Sequence, residues 1–245
     1  HSVADGKRAF VIARRNFDRV SVDLFYARQD QTLSQWENEL REALSMAVDH
    51  LSLYQLTIEK GTAFSARYDR GLLRGVPDDD VSADMYELTQ QLCIEHGFPG
   101  YEVSNHAKNG AFSKHNMIYW TYGDYIGIGP GAHGRVTIGG EKRATTTALM
   151  PDAWLTQVEM TGSGDANYET VNQADQSVEM LLMGLRINQG VELERLGALH
   201  RNHSFINNIS SLKDMKLISV EDGFLKVSSK GKPVLNAILR ELLVD

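Results

Sequence analysis

RVSVDLFYA, residues 19–27, alternates apolar and polar side chains as a strand does, and the helix and second strand after it set the fold class. Val20, Val22 and Leu24 share one face, while Ser21, Asp23 and Phe25 share the other. An acid therefore sits inside a strand that otherwise reads as buried, where an unpaired carboxylate is costly, so Asp23 is expected to meet a donor or a ligand. Thr32-Leu33-Ser34-Gln35 then matches a capping box, and Leu33, Trp36, Leu40, Leu44 and Ala47 form the apolar stripe of a helix. LSLYQLTI, residues 51–58, returns to strand character, with Gln55, Thr57 and Glu59 on one face near its end. Strand, helix and strand at these lengths make a right-handed crossover between parallel strands, hence an α/β fold whose ligands gather beyond the strands' C-terminal ends. Asp23, Gln55 and Thr57 are thus expected to line one pocket wall.

Outward from this unit, residues 3–17 read as a helix, begun by a capping box in His1-Ser2 and Asp5. That start, without an initiator methionine, reads as the middle of a longer protein. Residues 59–77, with Gly61, Gly71, Gly75 and Pro77, read as a loop with one short helical turn. Asp78 to Asp80 then open a helix with the stripe Val81, Met85, Leu88 and Leu92, ended by Gly97. From Tyr101 to Thr146 short β-like segments alternate with Gly and Asn, and Ile138-Gly139-Gly140-Glu141 reads as a hairpin turn. Residues 151–160 read as a helix with proline in its first turn, and TGSGDANYE, residues 161–169, has linker composition. These features divide the chain into domains 1–168 and 169–245. Helices at about 175–187, 191–200, 203–215 and 229–243, with strands at 217–220 and 224–227, make the second domain mainly helical and winged-helix-like.

That module often binds DNA, but residues 175–245 carry nine basic and nine acidic residues and no basic face. The whole 245-residue chain has a net charge of -7, which opposes any nucleic-acid role resting on phosphate neutralisation. No apolar run approaches the roughly 20 residues that span a bilayer. The single cysteine, Cys93, excludes a disulfide framework and fits a reducing, cytoplasmic setting. Beside the Met85–Leu92 stripe it reads as a small buried hydrophobe. Gly127-Ile128-Gly129-Pro130-Gly131-Ala132 matches a dinucleotide fingerprint formally, but Arg135-Val136-Thr137-Ile138 looks extended where a phosphate site needs a helix. A turn or a close backbone approach is the better reading. His106, His115 and His133 lack the spacing of a zinc site. One axial histidine with aromatic walls is enough for haem, and His115 in HNMIYW is the best placed for it, against the alternative of a hydrogen-bonded core histidine.

VSVDLFYARQDQT (20–32), HLSLYQLTIEKGT (50–62), DMYELTQQL (84–92), YEVSNHA (101–107), HNMIYW (115–120) and GDYIGIGPGAHG (123–134) together resemble the oxygen-independent coproporphyrinogen III oxidase-like proteins, the HemN/HemW branch of the radical SAM superfamily. The resemblance implies a partial radical SAM (β/α) barrel with a family-specific β extension, and a parent protein carrying a 4Fe-4S cluster and S-adenosylmethionine. It places Asp23, Phe25 and Thr57 against S-adenosylmethionine, the side on which the strand pattern also puts Gln55. The family's CxxxCxxC cluster loop would lie upstream of His1, so this chain is not expected to ligate the cluster. HNMIYW stands where coproporphyrinogen dehydrogenases carry Gln-Gly-Tyr-Thr-Thr, and it is similar to the haem-chaperone branch, whose members bind haem and pass it to haem proteins. That branch implies His115 as axial ligand of the haem iron, Tyr119 and Trp120 as flat contacts and Asn116 beside them. Haem or porphyrinogen and haem-accepting proteins are then the partners, with peripheral membrane association and a homodimer compatible with the family. The alternative is oxidation of coproporphyrinogen III in porphyrin biosynthesis. Two departures stand out: Gln29-Asp30 replaces the usual Pro-Gly, and His106 replaces the usual Phe, as an extra ligand or a surface ring.

Overall fold

Ser2 accepts a hydrogen bond from the Asp5 amide while its own amide donates to the Asp5 carboxylate, and this box starts α1, Val3–Asn16. The computed structural model describes residues 2–244, so the His1 part of that motif lies outside the described residues. Two units are distinguished, one ending at Ser113 and the other beginning at Lys114.

In the first unit β1 (Ser21–Tyr26), α2 (Leu33–Met46) and β2 (His50–Gln55) form the expected crossover, and β1 and β2 pair in parallel. The Thr32–Gln35 box caps α2 as read from the sequence. After α3 (Ala63–Asp69) and α4 (Asp79–Glu95), β3 (Asn105–Ala107) adds to β2 antiparallel, giving the order β1-β2-β3. One sheet face carries Tyr26, Leu51 and Leu53, which pack with Trp36, Leu40 and Leu44 of α2 and with Met85, Leu92 and Cys93 of α4. Trp36 stacks on Tyr26 at 5.1 Å between ring centroids. Its indole N–H donates to Thr89 Oγ1 at 2.8 Å, and Thr89 donates in turn to the Met85 carbonyl. Buried N–H groups left unpaired cost about 1–3 kcal/mol. Thr89→Val, which keeps the volume and removes the acceptor, is therefore expected to lower the unfolding free energy of this unit by about 1–2 kcal/mol in urea titrations.

In the second unit α5 (Lys114–Trp120) comes first, then the hairpin β4 (His133–Ile138) and β5 (Glu141–Thr147). Gly139 and Gly140 both have positive φ, the requirement of a tight two-residue turn. α6 (Pro151–Thr161) leads to β6 (Asp165–Thr170), which pairs with β5. Most of the 161–169 stretch is thus not a linker: Thr161 ends α6 and residues 165–169 belong to β6 of the β extension, whose polar side chains are compatible with an exposed edge of the sheet. α7 (Gln173–Gly184), β7 (Val191–Glu192), α8 (Gly197–His200), α9 (His203–Asp214), β8 (Ile218–Glu221), β9 (Phe224–Val227) and α10 (Leu235–Leu242) complete the unit, with a small sheet in the order β7-β9-β8. The helix expected over 191–200 begins as β7. The last helix starts at Leu235 because Pro233 lies in a separate 3-10 turn and has no N–H to give.

HNMIYW lies on a helix, not among β-like segments as its aromatic content suggests. A left-handed residue, Tyr122, turns the chain so that the Gly123 amide reaches the Ile118 carbonyl at 2.7 Å, which ends α5.

Candidate functional site

Residues level with each other in a parallel pair project to the same side of the sheet, and here Asp23 is level with Ser52 and Phe25 with Tyr54. Phe25 is half exposed and its ring lies 5.5 Å from that of Tyr54. Asp23 is exposed, which corrects the expectation of a buried acid: the alternation sets its side of the strand but not what covers that side. Gln55 is level with Tyr26, on the side opposite Asp23, so the register does not support a single wall of Asp23, Gln55 and Thr57. Thr57 lies two residues beyond β2 and donates to Glu59 at 3.2 Å.

Behind Asp23 runs a chain of polar contacts. The Ser21 hydroxyl lies 3.3 Å from Asp23 Oδ1 and 2.8 Å from His50 Nδ1; His50 Nε2 lies 2.9 Å from the Tyr101 hydroxyl, which accepts from the Ser113 amide. Burial pushes the pKa of His50 down against the pull of Asp49, which favours the neutral ring, able to donate at one nitrogen and accept at the other. Ser21 shares the Asp23 face in the sequence pattern, but nothing local marks His50 as its partner. An exposed carboxylate beside a half-exposed aromatic ring fits the hydroxyl, ammonium and adenine groups of S-adenosylmethionine. The only cysteine does not fit a 4Fe-4S cluster: Cys93 is buried and burial pushes its thiol up to about 12. Among the described residues no group of three or more His, Cys, Asp and Glu side chains could hold a metal ion. His106 is buried on β3 opposite Leu51, which excludes the surface-ring reading.

On α5, His115 and Tyr119 are one turn apart, and the Tyr119 hydroxyl lies 3.0 Å from His115 Nε2. Their rings meet edge-on at 4.9 Å, and Tyr125 continues the row at 4.5 Å from Tyr119. His115 is exposed, Tyr119 and Asn116 half-buried. Trp120 leaves this row: it lines a cavity of about 40 Å³ with Met180 and Gly184 of α7 and Val191 of β7, and its indole nitrogen makes no hydrogen bond among the described residues. Tyr125 is the member that motif reading misses, since only the turn after α5 returns it to Tyr119.

The turn is held from two sides. Tyr122 donates to Glu179 at 2.6 Å, and Arg135 grips the same carboxylate through Nε and Nη2 at 3.1 and 2.7 Å. Burial opposes ionisation of Glu179, yet these hydrogen bonds prevail and hold its carboxyl below the ordinary range. Lys142 reaches Asp124 at 2.9 Å and the Tyr122 carbonyl at 3.0 Å, with its ammonium 4.3 Å from the Tyr122 ring centroid. The glycine-rich run closes back on itself through paired hydrogen bonds between Tyr125 and Arg135. A Cβ on Gly127 would stand 2.5 Å from the His133 carbonyl oxygen, so the close approach inferred for these glycines is to the chain's own backbone. β4, not a helix, comes next, and no phosphate cradle forms.

No protein-family model matches the chain. It is 38% identical over 237 residues to "Radical S-adenosyl methionine domain-containing protein 1, mitochondrial" of Danio rerio, covering 93% of this chain and 53% of that protein. It is 30% identical to "Heme chaperone HemW" of Lactococcus lactis, over 96% of this chain and 61% of that one. The chain thus spans between half and two thirds of the length of these relatives. The coproporphyrinogen III oxidase HemN from Escherichia coli, a radical SAM enzyme, has a solved structure that superposes over 95% of this chain and 57% of that one with a TM-score of 0.74. At 15% identity that likeness shows the fold.

Proposed function

Given that the chain belongs to the HemN/HemW-like radical SAM family, we propose that it serves a haem chaperone, binding haem on α5 and passing it to haem-accepting proteins. The observation that carries this reading is the exposed His115 ring in hydrogen-bond contact with the half-buried Tyr119 phenol, both on the one helix made by HNMIYW. The name of the Lactococcus relative, a haem chaperone, supports it. In this proposal His115 is an iron ligand, Tyr119 and Tyr125 give aromatic surface, Asn116 lies beside them, and Trp120 anchors the helix from within. Asp23 and Phe25 form the S-adenosylmethionine side, where the Asp23 carboxylate would accept hydrogen bonds, with Thr57 just beyond the end of β2, while Gln55 faces the other side of the sheet. S-adenosylmethionine supplies a sulfonium group when bound, and no part of the proposal runs through a cluster held by this chain.

The division into 1–168 and 169–245, a cytoplasmic setting, a homodimer and peripheral membrane association belong to the same proposal. Among the described residues no helix is long and apolar enough to cross a membrane. Titration with haem, followed at the Soret band, is expected to show saturable binding that His115→Ala weakens by roughly 10–100-fold. A curve unchanged by that substitution removes His115 from the site. Anaerobic conversion of coproporphyrinogen III by the protein with a reconstituted cluster would favour the oxidase instead.

A further inference from the structure

We propose that His50 is a positioning residue for the Asp23 carboxylate: acting through Ser21, it pins one carboxylate oxygen and leaves the other free to take a donor group of S-adenosylmethionine. This rests on the S-adenosylmethionine side proposed above.

The contacts behind Asp23 run in one direction with every proton placed. At the inner end the Ser113 amide can only donate, and it does so to the Tyr101 oxygen at 3.2 Å. The Tyr101 proton is then free to go to His50 Nε2, 2.9 Å away. A neutral ring that accepts at Nε2 carries its own proton on Nδ1, which lies 2.8 Å from the Ser21 hydroxyl oxygen. Ser21, having accepted there, donates to Asp23 Oδ1 at 3.3 Å. The opposite direction brings two donors, Nε2–H and the Ser113 amide, onto the Tyr101 oxygen and turns the Ser21 proton away from Asp23.

Register and burial hold these links in place. Ser21 is level with His50 across the parallel pair of β1 and β2, so hydroxyl and imidazole share the side of the sheet that carries Asp23. His50 and Tyr101 are each only 5% exposed. Phe112 stacks on Tyr101 at 4.4 Å between ring centroids and restrains the phenol. The charge of Asp49, next to His50 in the chain, is countered by Arg19 at 2.7 Å. An exposed carboxylate otherwise turns about its last bond, and a ligand must freeze that rotation on binding. With Oδ1 held by Ser21 the rotation is already restricted. Oδ2, on the face that also carries the half-exposed Phe25 ring, is left for an N–H or O–H of the ligand.

Heteronuclear NMR of the histidine-labelled protein, without cluster or ligand, reads the tautomer, the His50 signal being assigned by its loss in His50→Gln. A protonated Nδ1 and a bare Nε2 are expected, and Tyr101→Phe is expected to lose that pure form. Binding of S-adenosylmethionine to the protein with a reconstituted cluster is measured by anaerobic equilibrium dialysis. It is expected to weaken roughly 3–10-fold in Ser21→Ala and to return to within about twofold of wild type in Ser21→Thr, which keeps the hydroxyl. Circular dichroism checks that each variant is folded. A proton on Nε2 in the wild-type protein overturns the inference. So does Ser21→Ala binding as wild type does while Asp23→Ala binds weakly, which leaves the S-adenosylmethionine side standing. Binding unchanged in Asp23→Ala overturns both.

Discussion

Trp36→Ala is expected to cost the first unit about 3–5 kcal/mol, the range for truncating a fully buried aromatic side chain. Trp36 has no solvent exposure, stacks on Tyr26 and ties α2 to α4 through Thr89. Its loss leaves a cavity beneath β1, whose opposite face carries Asp23 and Phe25. Against a typical domain stability of about 5–15 kcal/mol that is a large share. Urea unfolding followed by far-UV circular dichroism should show a marked fall in the midpoint with little change in slope. A loss below about 1 kcal/mol would mean that Leu40, Met85 and their neighbours collapse into the space.

The second large effect is expected at Glu179. Glu179→Ala deprives Arg135 of a two-point grip and Tyr122 of its acceptor, and costs roughly 2–3 kcal/mol, reduced from the value for a fully buried pair because about a quarter of each side chain still meets solvent. The sign of the pH dependence comes from the depressed carboxyl. Its folded pKa lies below the unfolded value of about 4.5, so the stability it contributes is fully present above that value and is lost as pH falls through the lower folded one. Urea midpoints measured between about pH 6 and 3 should fall on the acid side in wild type and less steeply in Glu179→Gln, which cannot titrate there. Equal acid slopes would show that Glu179 is not the group responsible. Since Tyr122 ends α5, Glu179→Ala should also weaken the haem binding proposed for that helix without touching His115 or Tyr119.

Much of the fold is legible locally. The capping boxes at Ser2–Asp5 and Thr32–Gln35 mark two helix starts, Gly139-Gly140 marks its hairpin, and the switch from period two to helical spacing and back marks β1, α2 and β2. Those signals depend on side chains within a few residues of each other and on backbone angles that few residues adopt. The helix at HNMIYW is hidden by strand-favouring aromatics, and β6 by a polar composition shared with linkers.

The candidate site divides in the same way. Residue type, spacing and order are enough for the α/β class and for the face on which Asp23 and Phe25 sit, because these are local properties that the resemblance also reads. Three-dimensional packing was needed to put Gln55 level with Tyr26, to stand His50 and Tyr101 behind Asp23, to turn Trp120 toward α7 while Tyr125 joins Tyr119, and to pin the turn after α5 with one carboxylate, Glu179. Register, burial and pairing between residues as far apart as 135 and 179 depend on which surfaces exclude water together, and no short window of sequence contains both partners.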